Sequence, residues 1–203
     1  MITENTSPRA GHPARVRHQT LTIAVHWITA LLVFTQIALA ILHDQVGDAE
    51  IRRGALAAHR SLGVVIWYLV IGRLAWRLLG MRLVPFPAHM SRWHQWGARL
   101  SEWGLYGLLL AQPLSGMAAT VLRGQPFNLF GIQVPSLMAS DKVWATAAQG
   151  LHTLGAYALA TLVLAHAGAA ILHRVIADDG VLDSMLPLPC KRSGSPIQSA
   201  SEG

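Results

Sequence analysis

Residues 152–173 read HTLGAYALATLVLAHAGAAILH, an apolar run with a histidine at each end and a third, His166, within it. At 100° per residue, the 14 residues from His152 to His166 turn a helix through about 1400°, only about 40° short of four full turns. Both imidazoles therefore fall on one face, and at 1.5 Å per residue the second stands about 21 Å further along the axis. The run lies inside an apolar block from about Val143 to Ile176, longer than the roughly 20 residues needed to cross a bilayer. Ionisable side chains inside such a span are costly and rare, so each is a candidate for function.

Working outward, three more apolar blocks precede this one. The first, Leu21 to Leu42, carries no formal charge; Ala38-Leu39-Ala40 resembles a signal-peptide cleavage site, but the block is too long for an h-region of about 7–15 residues. The second, Gly54 to Leu79, carries Arg60, Arg73 and Arg77. A charge at the bilayer centre costs at least ~2.5 kcal/mol, whereas arginines in the last turns can snorkel to the interface. The third, Ser101 to Leu122, is interrupted by Pro113, where a kink is expected. Only 13% of the 203 residues are charged and 52% are hydrophobic, against about 25% charged in a soluble domain. These blocks predict an all-α fold, an integral membrane four-helix bundle.

The expected organisation is a cytoplasmic arm over residues 1–19, a four-span domain over 20–178 and a Ser-, Gly- and Pro-rich cytoplasmic tail over 179–203, predicted to be disordered. The stretch from Gly80 to Leu100, with Pro85, Pro87, His89 and His94, reads as an inner loop. Residues 123–142 read as an ordered outer loop with Gly and Pro at turn positions. With the N-terminus inside, the inner side holds Arg9, Arg15, Arg17, Arg73, Arg77, Arg82, Arg92, Arg99, Arg174, Lys191 and Arg192. The outer side holds Arg52, Arg53, Arg60, Arg123 and Lys142. Eleven against five is the positive-inside bias of an N-in, C-in protein, and Trp93, Trp96, Trp103 and Trp144 fall where interfacial belts belong. The net charge of +6 does not point to nucleic acid, because the basic residues flank apolar blocks instead of forming one stripe on a soluble domain. The single Cys190 excludes an intrachain disulfide, an Fe–S cage and covalent C-x-x-C-H haem attachment.

Topology then pairs the histidines. Span one starts inside, so His26 is inner; span two starts outside, so His59 is outer; span four runs from outside to inside, so His152 is outer and His166 inner. His26 is expected opposite His166, and His59 opposite His152. Two imidazoles per iron at two depths fit a pair of six-coordinate b haems, a design for electron transfer that leaves no open coordination site for oxygen chemistry. Zinc is the rival, but a two-histidine site leaves two of its four positions empty.

The runs Ile23-Ala24-Val25-His26-Trp27 and His59-Arg60-Ser61-Leu62-Gly63, the Gly-x-Pro-x-x-x-Phe-Gly pattern at 124–131, and the stretch from His152-Thr153-Leu154 through Ala165-His166-Ala167 to His173 resemble the bacterial cytochrome b561 family. The likeness spans roughly residues 20–176. It implies two b haems bound by His26, His59, His152 and His166, electron exchange with ubiquinone in the bacterial inner membrane, and, in some members, oxidation of superoxide. Span three of that family often has a histidine a turn before its Tyr-Leu-Leu stretch; here Glu102 stands before Tyr106, with Arg99 a turn earlier. Span three thus offers no ligand and reads as a packing wall.

Three further roles follow. His173, about 20° from the face of His166 and about 10 Å deeper, is a candidate donor to a quinone oxygen, the alternative being a histidine in interfacial water. Arg73 lies on nearly the face of His59 and about 21 Å away, level with the inner haem, where its fork suits a propionate; the alternative is a lipid phosphate. Arg52, Arg53, Arg60, Arg123 and Lys142 form a candidate funnel for small anions such as superoxide, or simply face water. Two roles compete for the whole chain: a self-contained oxidoreductase between quinone and a small or protein redox partner, and a membrane anchor relaying electrons from a soluble dehydrogenase or hydrogenase. A transporter would need broken helices and a midplane site, which ligand pairs near both surfaces do not provide.

Overall fold

The computed structural model describes residues 20–79, 90–177 and 182–186. Helices α1 (Thr20–Gln45), α2 (Ala49–Leu78), α3 (Arg92–Leu122) and α4 (Lys142–Leu172) follow in order, with strands β1 (Phe127–Leu129) and β2 (Ile132–Val134) between α3 and α4. A π-helical turn, His173–Ala177, continues α4, and a single 3-10 turn spans Asp183–Met185. Among the described residues, four helices are long and apolar enough to cross a membrane. The expected arm, the inner-linker residues Pro85, Pro87 and His89, and all but a few residues of the expected tail lie outside the described residues.

Two helices start earlier than hydropathy predicts. Asp48 caps α2 by accepting from the amides of Glu50 and Ile51, both at 2.9 Å, so Arg52 and Arg53 belong to the helix rather than to a loop before Gly54. Ser91 caps α3, its Oγ accepting from the His94 amide at 3.4 Å. The expected inner loop up to Leu100 is corrected accordingly: Arg92 to Leu100 are the first turns of α3. Apolar runs mark depth in lipid, and a helix whose first turns carry Arg and Trp extends beyond that depth without a hydropathy signature. Asp141 caps α4 through the amides of Val143 and Trp144, each at 3.1 Å.

Neighbouring helices pack in sequence, α1 on α2, α2 on α3 and α3 on α4. Ile66, Val70 and Tyr106 form the buried centre, with Leu32, Leu74, Leu109 and Leu110 around it. Much of the outer surface is apolar, including Leu31, Leu154 and Leu164. In water such a surface would drive association; in a bilayer it faces its own solvent. Helix α3 runs unbroken through Pro113, and beside that proline the Trp67 indole donates to the Leu110 carbonyl at 3.1 Å, a donor supplied by the neighbouring helix.

The connection between α3 and α4, expected on the outer side, is ordered, as its Gly and Pro pattern predicts, and it contains an element that the pattern did not show. Strands β1 and β2 pair antiparallel, Phe127 against Val134, around a two-residue turn in which Phe130 and Gly131 have φ of 51° and 77°. Both positive values suit the turn that matches strand twist. The Phe130 amide donates to Ser61 Oγ at 2.8 Å, and the Arg60 guanidinium lies 5.7 Å over the Phe127 ring, so the hairpin is seated on α2. At the other end, Trp27 Nε1 donates to the Met185 carbonyl at 2.7 Å, which brings the end of the described chain beside the start of α1. Four crossings require the two to meet on one side.

Candidate functional site

The four candidate ligands come together as two pairs. His59 of α2 and His152 of α4 have ring centroids 6.1 Å apart with planes at 85°. His26 of α1 and His166 of α4 have centroids 6.4 Å apart with planes at 54°. Metal–imidazole bonds of roughly 2 Å on opposite sides of one ion place two ring centroids about 6 Å apart, so both separations fit a six-coordinate iron between the rings.

The pair expected on the outer side is held by peptide carbonyls. His59 Nδ1 lies 3.1 Å from the Gln36 carbonyl, and the Gln36 amide returns a bond of 2.8 Å to the His59 carbonyl. His152 Nδ1 lies 3.0 Å from the Gln112 carbonyl and 3.2 Å from Ser115 Oγ, and the Gln112 amide donates to the His152 carbonyl at 3.1 Å. A carbonyl only accepts, so each Nδ1 carries its hydrogen and Nε2 keeps the lone pair that a metal needs. Gly116 gives the His152 ring its room: a Cβ there would stand 2.9 Å from Cε1.

Side chains also reach the pair expected on the inner side. Arg73 Nη1 reaches His26 Nδ1 at 3.3 Å, and Ser101 Oγ lies 3.4 Å from His166 Nδ1. Were His26 to hold a metal through Nε2, its Nδ1 would bear a hydrogen and oppose the guanidinium, which would then need another acceptor. Arg73 also lies 5.8 Å over Tyr106, beside Arg77, which is ion-paired with Glu102. The arginine expected level with the inner pair stands next to it.

His173 lies in the π-helical turn at the end of α4, its ring in edge contact with His94 at 5.7 Å. Such turns concentrate at functional positions. Of the candidate outer cations, Arg60 is turned to Phe127, Arg123 donates to Gln149 Oε1 at 2.9 Å, and Arg52 and Arg53 are exposed on the first turns of α2. Arg123 and Lys142 line a cleft of about 810 Å³ that continues along α4 past Gln149 and Thr153 to Tyr157.

Span three is more than a packing wall. Ser101, Gln112 and Ser115 of α3 all reach histidines of α4, and His94 meets His173. Sequence reasoning passed over Ser101, Gln112, Ser115 and Gln36 because it weighed only ionisable groups. The available sign was an amide within an apolar span, which is costly in lipid unless a partner satisfies it.

Comparison with known proteins agrees with this architecture. The family described as prokaryotic cytochrome b561 matches residues 17–188. The chain is similar to cytochrome b561 homolog 2 of Escherichia coli strain K12, at 28% identity over 173 residues, 84% of this chain and 91% of the relative. Cytochrome b561 homolog 1 of the same strain is 29% identical over 168 residues, 81% of this chain and 94% of the relative. The probable superoxide oxidase CybB of Yersinia pestis is 27% identical over 176 residues, 84% of this chain and 96% of the relative.

Proposed function

Because the chain belongs to the prokaryotic cytochrome b561 family, and so is a membrane b-type cytochrome of electron transfer, we propose that it binds two b haems and carries electrons between ubiquinone and a second redox partner. It is a multi-pass protein of the bacterial inner membrane. His59 and His152 would hold an outer haem, and His26 and His166 an inner one. The observation that carries this reading is the pair of imidazole couples at 6.1 and 6.4 Å, with Nδ1 of both outer rings engaged by peptide carbonyls.

A haem in each place supplies one-electron iron chemistry. The residues of the chain do the rest. Two histidines on one iron would leave it no open position for oxygen, and Arg73 would offer a guanidinium fork to a propionate of an inner haem. His173, with His94 against it, is the proposed donor to a quinone oxygen at the inner face. Arg123 and Lys142 at the outer cleft give a small anion a positive approach, and superoxide is the proposed outer reductant, in keeping with the name of the Yersinia pestis relative. The proposed orientation is N-in and C-in, with residues 20–178 as the haem-binding domain between two cytoplasmic ends.

A pyridine haemochrome assay on the purified full-length chain tests this reading directly. Two b haems per chain, together with superoxide-driven ubiquinone reduction without a partner, are the expected result. One haem or none would overturn the di-haem assignment, and two haems without turnover would make the protein a relay for a soluble dehydrogenase.

A further inference from the structure

We propose that Gln36 and Gln112 are positioning residues of the outer haem site, which hold His59 and His152 in one tautomer and set how strongly the two imidazoles donate to iron. The inference rests on the di-haem reading. Each glutamine acts twice on its histidine: its peptide carbonyl accepts from Nδ1, at 3.1 and 3.0 Å, and its side-chain amide donates to the histidine's own carbonyl, at 2.8 and 3.1 Å. The same clasp occurs once between α1 and α2 and once between α3 and α4. It ties the helix that carries each ligand to the helix before it.

The surroundings of the clasp are shaped to admit it. An alanine Cβ at Gly63 would stand 3.2 Å from Gln36 Nε2, and one at Gly155 would stand 2.9 Å from Gln112 Oε1. On the α3 side, Ser115 Oγ donates to the Gln112 carbonyl at 2.9 Å, so that acceptor is held from two directions. A residue needed only to fill space in an apolar span would be a leucine or a methionine, because an amide there requires partners. At the inner pair a guanidinium and a hydroxyl meet the Nδ1 atoms, at 3.3 and 3.4 Å, and a hydroxyl both donates and accepts.

A carbonyl on Nδ1–H makes the imidazole a stronger donor through Nε2. Stronger donation favours ferric iron and lowers the potential of that haem. Loosening the clasp by removing the amide lets the Nδ1–H···O bond lengthen, so the outer haem potential rises while the inner one stays.

The test is a redox titration of the purified, fully loaded protein, followed in the haem bands, for wild type, Gln36→Met and Gln112→Met. Methionine keeps nearly the length of glutamine and removes the donor. The expected result is a positive shift of the same one of the two potentials in both variants, that haem being the one lost from His59→Ala, whose methyl group cannot ligate iron. Should either variant not be recovered, Gly63→Ala or Gly155→Ala crowds the same amide and gives the same readout. Unmoved potentials, equal movement of both, or lowered thermal stability with neither potential changed overturns the proposal. A wild-type protein with fewer than two haems would overturn the di-haem reading itself.

Discussion

Arg77 of α2 is ion-paired with Glu102 of α3, and the same guanidinium lies 5.1 Å over the Trp103 ring and 5.8 Å over Tyr106. The carboxylate thus gives a largely buried arginine a negative partner from the neighbouring helix.

Removing that charge leaves Arg77, whose side chain is only 11% exposed, without its counter-ion. Breaking a fully buried pair costs about 3–5 kcal/mol, and exposed pairs contribute about 1 kcal/mol or less. Glu102 is 36% exposed, so Glu102→Ala should cost about 1–2 kcal/mol, read as a lower thermal midpoint in detergent. The double variant Arg77→Met/Glu102→Leu should recover most of the loss, since neither charge remains. A Glu102→Ala protein as stable as wild type would show that the pair contributes nothing.

Gly116 sets the clearance of the outer site. A methyl group added there stands 2.9 Å from His152 Cε1 and 3.1 Å from Nδ1, and the ring is fixed by Gln112 and Ser115, so it has no cheap way to yield. Overpacking of this kind costs about 1–3 kcal/mol. On the two-haem reading, Gly116→Ala should therefore lower haem content per chain towards one, with the loss confined to the haem proposed between His59 and His152. Gly72→Ala, which meets nothing within 4 Å, is the control and should keep both haems. Full haem content in Gly116→Ala would mean that the His152 ring moves freely.

The four spans and the pairing of His26 with His166 and His59 with His152 were legible in the sequence because each follows from a period. Hydropathy gives the spans, and 100° per residue with alternating direction gives the depths. What lacked a period was hidden. The glutamine clasps depend on which turns of two separate helices meet, and the start of α3 at Arg92 depends on Ser91 capping a segment too polar to register as a span. The contact of His94 with His173 was beyond reach for a related reason, since it joins the start of one helix to the end of another.

Asp48 gives α2 a pH dependence at its N-terminal end. The amides of Ile51 and Glu50, which the carboxylate accepts from, hold its pKa below the ordinary carboxylate value. A lowered folded-state pKa means that the stabilisation is present above the unfolded pKa and is lost as pH falls through the folded value. The first turn of α2 should accordingly fray only in acid, seen as faster amide exchange over Glu50 to Arg53 relative to Asp48→Asn, which keeps the acceptor without the charge. Asp48→Ala should show the frayed turn already at neutral pH. Equal exchange in all three proteins would remove the cap from the account of why α2 starts at Ala49.

His173 and His94 offer the sharpest test of where quinone meets the protein. Their rings touch at 5.7 Å, one from the π-helical turn after α4 and one from the first turn of α3, outside both imidazole couples of the proposed haem sites. A proton donor at a quinone oxygen contributes about 100-fold or more to rate. His173→Ala should therefore slow ubiquinone reduction by about two orders of magnitude while both haem spectra stay unchanged. Because the two rings form one unit, His94→Ala should slow the same step, and the double variant should be little slower than His173→Ala alone. An interfacial histidine in water would give wild-type rates in all three variants. Loss of a haem from His173→Ala would place that residue in the inner haem site instead, and quinone would then have to be sought at another surface, with the cleft of Arg123 and Lys142 the next to examine.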